Sequence, residues 1–404
     1  MSTSLLYHAF GIRGYQYVNT SYESGKVFFR IKQRKTDLCC PDCKSRDVSR
    51  KGTVERGFRC LPIGLKPVVF VMAVQRVFCP SCDTVKQVEI GFADPRRRYT
   101  RKFERYALEL SRFMTIKDVA QHLDVSWDVV KDIQKRNLSK RFGKPKLKKL
   151  QQIAIDEISI GKGHRYLTIV LDLRTGAAVF VGEGKGAEAL EPFWRRLKAS
   201  RAQIQAVAID MSPAYIRAVS QNLPSAAIVF DRFHVIKLFN DKLSDFRRAL
   251  YRKASSTGDK SVLKGTRWLL LKNPENLYEN RDEPQRLQRA LELNKPLATA
   301  YYMKEELRQL WEQPDKIKAW EFLIDWIYRA GSSGISMLRK FAETLAKHMG
   351  GILAYYDYPI STGPLEGTNN KIKTMKRQAY GFRDQAFFKL KIMTIHLKRY
   401  ALVG

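Results

Sequence analysis

The sequence contains no run of about 18 apolar residues, so no segment reads as a membrane-spanning helix. Its first ten residues, Met1 to Phe10, lack the charged start, apolar centre and small-residue cleavage site of a secretory signal. A cytoplasmic location is therefore expected. Cysteine is missing from every position after 82, which argues against a disulfide scaffold. Acidic residues are scarce beside basic ones, 40 against 73, leaving a net charge of +33. Self-repulsion on that scale disfavours a compact chain, so it persists where a polyanion neutralises it. Nucleic acid is the first candidate partner, an anionic membrane surface the second. Hydrophobic residues make up 44% of the chain, which excludes a disordered polycation and leaves a globular protein of several domains.

The charge is unevenly distributed. Residues 1–150 carry +18, residues 151–235 only +2, residues 236–355 +7 and residues 356–404 +6. A near-neutral block between basic arms suits a core that presents carboxylates while its flanks hold phosphates.

All six cysteines lie between positions 39 and 82. Cys40-Pro41-Asp42-Cys43 and Cys79-Pro80-Ser81-Cys82 are two knuckles of the kind that supply two thiolates each to tetrahedral zinc. Strand-like runs separate them, Lys66 to Phe78 above all, as in a zinc ribbon. Four thiolates leave no open position, so the expected Zn²⁺ is structural. Cys39 and Cys60 are left over, and either is an alternative ligand.

From Thr100 the pattern turns helical, with Phe103, Tyr106, Ala107 and Leu110 at three- and four-residue steps. Thr115 and Ser126 are placed to cap two further helices, Ala120 is small where they would cross, and Val119, Leu123, Val125, Val130 and Ile133 form a shared core. This is the layout of a helix-turn-helix, whose second helix would carry Lys131, Lys135 and Arg136 to DNA phosphates or base edges. His122 reads as plain surface. The lysine-rich run from Ser139 to Lys149 reads as a linker that tracks the DNA backbone.

After Leu150 the pattern becomes three strands, helix, strand, helix, strand. Gln152 to Ile160 is a buried-strand run interrupted by Asp156 and Glu157; Ile204 to Ile209 is an apolar strand ending at Asp210, and Ala226 to Phe230 one ending at Asp231. Carboxylates in such settings are costly unless paired or bound to metal. Two divalent ions about 3.5–4 Å apart need acids converging from different elements. Glu366 is the third candidate: Pro364 starts a helix whose first turn holds it, and Glu366, Asn369, Asn370 and Lys373 share one face. Strand alternation turns Glu157 away from Asp156. Asp231 and His234 are possible auxiliaries, and Asp172 reads as structural.

Four segments in order, Ile155-Asp156-Glu157-Ile158-Ser159, Ala208-Ile209-Asp210-Met211-Ser212, Asp231-Arg232-Phe233-His234 and the stretch from Gly363 to Arg383, resemble those of bacterial insertion-sequence transposases of the ISL-three type. The resemblance spans nearly the whole chain. It implies an Asp-Asp-Glu triad of Asp156, Asp210 and Glu366 holding Mg²⁺ or Mn²⁺, with Lys373 as a DNA-contacting helper. It also implies double-stranded DNA as partner, both element ends and target, with a homodimer acting on it at the nucleoid. The expected fold is multi-domain α+β: a zinc ribbon over 1–95, a helix-turn-helix and basic linker over 96–149, and a ribonuclease H-like α/β core over 150–235 and 356–404. An α-helical insertion over 236–355 interrupts that core.

In the insertion, Trp320, Leu323, Ile324 and Ile327 recur at helical steps as expected core, and Gly331-Ser332-Ser333-Gly334 is expected as a flexible hinge. By the resemblance, the insertion braces DNA ends or a second subunit. Two rivals remain: a DNA-binding regulator without catalysis, and a metal-dependent nuclease of the same fold.

Overall fold

The computed structural model describes residues 3–34, 38–161, 163–254 and 257–397. The chain divides into two compact units. Of the described residues, the first takes those up to 143 with 375–390, the second those from 144 to 374 with 391–397. No helix among the described residues is long and apolar enough to cross a membrane.

The first unit opens with helix α1 (Thr3–Phe10) and strands β1 (Tyr15–Glu23), β2 (Lys26–Gln33), β3 (Ser49–Ile63), β4 (Lys66–Cys79) and β5 (Thr84–Gln87). They form one sheet, ordered β1-β2-β4-β3 with β5 also pairing with β4. Along β4 every second residue from Val68 to Val74 is buried, so one face is dry. Phe10, Phe29, Phe58, Phe70 and Phe92 close over it with ring centroids 5.2–6.4 Å apart. Helices α2 (Arg101–Leu110), α3 (Ile116–His122) and α4 (Trp127–Phe142) follow. Their core is the expected one, except that Val125 is only half-buried and Phe103, Ala107 and Tyr99 join it. Thr115 caps α3 in a full capping box with Asp118. Ser126 sits at the start of α4, but its side chain makes no capping hydrogen bond, contrary to expectation.

The second unit holds a five-stranded sheet of β6 (Gln152–Gly161), β7 (Arg165–Asp172), β8 (Ala177–Glu183), β9 (Ala206–Ile209) and β10 (Ala227–Phe230). The order is β10-β9-β6-β7-β8, with β6, β9 and β10 parallel and β7 and β8 antiparallel. Parallel neighbours need crossovers, supplied here by α5 (Glu191–Ser200) and α6 (Pro213–Asn222). Asp172 is structural as expected, accepting from the Arg174 amide and the Thr175 hydroxyl in the β7–β8 turn.

Helices α7 (Arg232–Lys253), α8 (Thr257–Gly265), α9 (Arg267–Leu271), α10 (Glu283–Leu293), α11 (Lys295–Arg308), α12 (Lys316–Ser332) and α13 (Ser336–Leu353) come next. Phe239, Trp326 and Phe341 meet edge-to-face at their centre, centroids 4.8–6.1 Å apart, and the Trp326 indole donates to the Met303 carbonyl. Two sequence expectations fail here. The dry stripe of α12 is Ala319, Leu323, Trp326 and Ala330, whereas Trp320 and Ile324 are 48% and 40% exposed. Both stripes have helical spacing, and periodicity alone could not choose between them. The expected hinge is instead a tight hairpin turn: Gly331 and Ser332 belong to α12, Gly334 takes φ +72°, and the Ser333 hydroxyl bonds the Ala330 carbonyl. Helix α13 lies against β10 so closely that a Cβ on Gly351 would come within 2.4 Å of the Phe230 ring. Helices α14 (Gly363–Gln378) and α15 (Gln385–Met393) follow.

Candidate functional sites

In the first unit, the Cys40 Sγ lies 3.9 Å from that of Cys82, and the Cys43 Sγ lies 3.5 Å from that of Cys79. All four sulfurs fall within 4.8 Å of one another. Tetrahedral zinc with bonds of about 2.3 Å requires edges of about 3.8 Å, so the donor set fits. The backbone amide of Cys43 points at Cys40 and lowers that thiol to about 7, the polarity a thiolate ligand needs. Cys60 is excluded by its setting: burial pushes its thiol up to about 11, and it accepts from the Thr100 hydroxyl. Cys39 stands outside the group.

The bases expected to meet DNA from α4 are engaged within the same unit. Lys135 and Lys131 reach Asp384 at 2.8 and 3.4 Å. Arg136 pairs with Glu104 and Asp132 and donates to the Tyr99 hydroxyl. Asp384 is held down to about 2, chiefly by the Lys135 hydrogen bond. Asp384 lies 249 positions from Lys135 in the chain, so no local pattern announced it.

In the second unit, the register of β6 with β9 sets Ala154 opposite Ala208. Carried two residues further, it brings Asp156 alongside Asp210, the first residue past β9. The Asp156 carboxyl is pushed up to about 6, chiefly by burial, with the charges of Glu157 and Asp210 adding to the rise. Its Oδ1 accepts from the Glu157 amide at 2.8 Å, and its Oδ2 accepts from Asn369 Nδ2 at 2.9 Å. Asn369 belongs to α14, one turn after Glu366, so the third acid's helix is tied to the first acid's strand. Asn369 is 6% exposed, and its Oδ1 has no hydrogen-bond partner. Glu157 interacts with Tyr215 of α6 while Asp156 meets α14, as strand alternation requires.

Asp210 accepts from the Ser212 amide at 3.0 Å. Glu366 stands exposed in the first turn of α14. Among the described residues the cysteines are the group of acids, thiols or imidazoles whose donor atoms all lie within 4.8 Å; the three carboxylates are not drawn that close. A two-ion site does not require it, because its acids can sit on different ions.

Asp231 is 2% exposed and caps α7 through the Phe233 amide. Its other oxygen accepts from the Thr362 amide and hydroxyl, which pins the segment entering α14. Burial would raise this carboxyl, but the hydrogen bonds from His234, Thr362 and Phe233 outweigh it and hold the group at about 2. His234 Nδ1 lies 3.4 Å from the Thr362 hydroxyl. Burial lowers this imidazole, yet Asp231, Asp156 and Asp210 together raise it above its ordinary value. Thr362 and Asn369 escaped the sequence reading as partners of acids. The only available signal was a hydroxyl-Gly-Pro lead into a helix and an amide on the Glu366 face. Lys373 is exposed two turns beyond Glu366.

Residues 153–392 match a family model described as "Transposase", and residues 88–136 one described as "Helix-turn-helix domain of transposase family ISL3". The transposase for insertion sequence element IS1001 of Bordetella parapertussis is 33% identical over 365 residues, covering 90% of this chain and 89% of that protein. The transposase for insertion sequence element IS1557 of Mycobacterium tuberculosis is 28% identical over 411 residues, covering 95% and 91%. Among solved structures, the Drosophila P element transposase strand transfer complex matches at TM-score 0.33 and 13% identity, over 64% of this chain and 79% of that one. That likeness is too slight to inform the fold.

Proposed function

Because the chain belongs to the ISL3 family of transposases, we propose that it binds the terminal repeats of an insertion sequence, cleaves the ends and joins them to target DNA. In this reading the second unit's sheet is a ribonuclease H-like core split by the helices between residues 236 and 355. Residues 1–95 form a zinc ribbon and 96–149 a helix-turn-helix with its linker. Asp156, Asp210 and Glu366 are the catalytic carboxylates, and two copies of the chain act on the paired ends at the nucleoid.

The observation that carries the reading is the hydrogen bond from Asn369 to Asp156, which couples the helix of Glu366 to the strand pair of Asp156 and Asp210. Two Mg²⁺ or Mn²⁺ ions, when bound, would stabilise the attacking and leaving oxygens of an in-line displacement. The chain's own residues prepare that site. Asn369 and the Glu157 amide fix both oxygens of Asp156, so its orientation is set in advance. The Ser212 amide orients Asp210. The positive end of α14 favours the charge of Glu366. Burial opposes a charge on His234, but Asp231, Asp156 and Asp210 favour its protonated form, which offsets part of the repulsion between Asp156 and Asp210. Lys373, exposed on the same helix, is available to a phosphate. Cys40, Cys43, Cys79 and Cys82 hold Zn²⁺, which stabilises the first unit rather than reacting.

The test is incubation of the purified chain with element-end duplexes, plasmid and Mg²⁺. Joined product supports the proposal; nicks without joining indicate a nuclease, and binding alone a regulator. Asp210→Ala should abolish joining and leave end binding within about twofold of the parent, since the residue lies outside the helix-turn-helix. Retained joining would remove Asp210 from the triad.

A further inference from the structure

A cavity of about 350 Å³ in the second unit is lined by Arg247, Arg248, Tyr251, Arg252, Lys264 and Arg267. Helix α7 brings four of these on successive turns, while α8 contributes Lys264 and α9 Arg267. Five cations face one space, and among the described residues no acidic side chain lines it. One of the five, Arg248, is paired with Asp245 of the same helix. We propose that this cavity is a phosphate-binding site, taking adjacent phosphates of a DNA strand or a free polyphosphate.

Basic residues at a helix C-terminus have an ordinary explanation, the dipole, and it covers Arg252 in the last turn of α7. It does not cover Arg267, which arrives from another helix, or Arg247, placed more than a turn earlier. Arg247 is the decisive residue. It is only 8% exposed, its Nη1 donates to the Leu263 carbonyl at 2.7 Å, and its buried Nε has no acceptor. A buried guanidinium is normally matched by a carboxylate or fully hydrogen-bonded. Here its charged neighbours are Arg267 and Arg248, and burial together with their like charge disfavours its cationic form. Such an arrangement is repulsive until an anion enters.

The anion's chemistry follows from the donors. Guanidinium forks pair with two oxygens at once, and four of them converge with an ammonium, far more than one carboxylate can occupy. Groups with several oxygens and more than one charge satisfy the set, which describes consecutive phosphates. The strand source rests on the DNA-joining function proposed above; the free source does not.

The test uses the full chain and the variant Arg252→Gln/Arg267→Gln, both positions being exposed. Without added anion the variant should melt no lower than the parent, since like charges are removed, and this confirms that it folds. Binding to a long mixed-sequence duplex is then measured against salt. Two lost phosphate contacts should make the slope of log K against log salt shallower by about 1.8. In parallel, inorganic pyrophosphate is added in melting experiments. A shallower duplex slope supports the strand source. Pyrophosphate raising the melting temperature of the parent but not of the variant supports the free source. If both readouts are the same for parent and variant, or neither probe binds the parent, the proposal is overturned. Unchanged duplex binding and an unchanged pyrophosphate response alongside intact strand joining would sink the cavity alone; absent joining with an altered slope would sink the transposition reading alone.

Discussion

Replacing Asp156 with Asn should make the metal-free protein more stable at neutral pH while destroying its activity. In the fold the Asp156 carboxyl titrates at about 6 against an ordinary 3.8, chiefly because it is buried. A raised carboxyl favours the protonated native state. Its contribution to stability is therefore fully present below about pH 4 and lost as pH rises through about 6. The gap corresponds to about 3 kcal/mol of disfavoured ionisation at pH 7 and above. Asn keeps the shape, its carbonyl accepts from the Glu157 amide and its NH2 donates to the otherwise unpartnered Asn369 Oδ1 once that side chain turns over, but it cannot ionise, so the variant should gain about 1–3 kcal/mol at pH 8 and little at pH 4. Urea unfolding of parent and variant from pH 4 to 8, in magnesium-free buffer with zinc left in place, reads this directly. Adding Mg²⁺ should then stabilise the parent selectively and narrow the difference, because a ligand that binds only the native parent shifts its unfolding equilibrium. A variant that is no more stable than the parent at pH 8 refutes the claim that Asp156 is held under strain for a cation.

Three further outcomes follow from the same geometry. Asp384→Asn frees Lys131 and Lys135 from their shared partner, and duplex binding by gel shift should tighten severalfold at a stability cost of about 0–1 kcal/mol; unchanged affinity would mean that these lysines do not meet DNA. Cys43→Ser, measured by zinc content and melting temperature, should lose the bound zinc and destabilise the first unit, whereas Cys39→Ser should leave one zinc per chain. Asp231→Asn should cost about 2 kcal/mol at pH 7, because the parent group is depressed to about 2 and its contribution, present above about pH 4, fades as pH falls toward 2; equal stability of the two proteins in urea at pH 7 would contradict the capping role.

How much of this was legible beforehand depended on whether the deciding contact was local. Helix-turn-helix spacing, the Cys-Pro knuckles and the apolar runs bounding Asp156 and Asp210 are short-range patterns, and the structure reproduces those elements to within a few residues. The partners that give the acids their chemistry are not local. Asn369 lies 213 positions from Asp156, Thr362 131 from Asp231, and Asp384 249 from Lys135. Burial choices between two equally periodic stripes, as on α12, are likewise decided by what packs opposite. The exposed Trp320 and the buried Trp326 differ by a rotation of the helix that only α7, α11 and α13 could specify.

The electrostatic plan of the second unit follows one logic at both of its sites. At the carboxylates, Asp156 and Asp210 repel and the fold answers with one imidazole, the Asn369 side chain and two backbone amides, too little to neutralise them. At the basic cavity, Arg247, Arg248, Arg252, Lys264 and Arg267 repel, and among the described residues Arg248 is ion-paired with Asp245. Elsewhere in the same unit the fold does satisfy its charges: buried Lys304 bonds the Leu270 carbonyl and pairs with Glu305, and Arg308 pairs with Glu275 and Glu305. Two places of opposite sign in this unit, the carboxylates and the basic cavity, thus hold like charges that their described neighbours do not balance. In the function proposed above the two places would take the divalent cations and the phosphates of a phosphoryl transfer on DNA, and each would gain stability on binding its counter-ion.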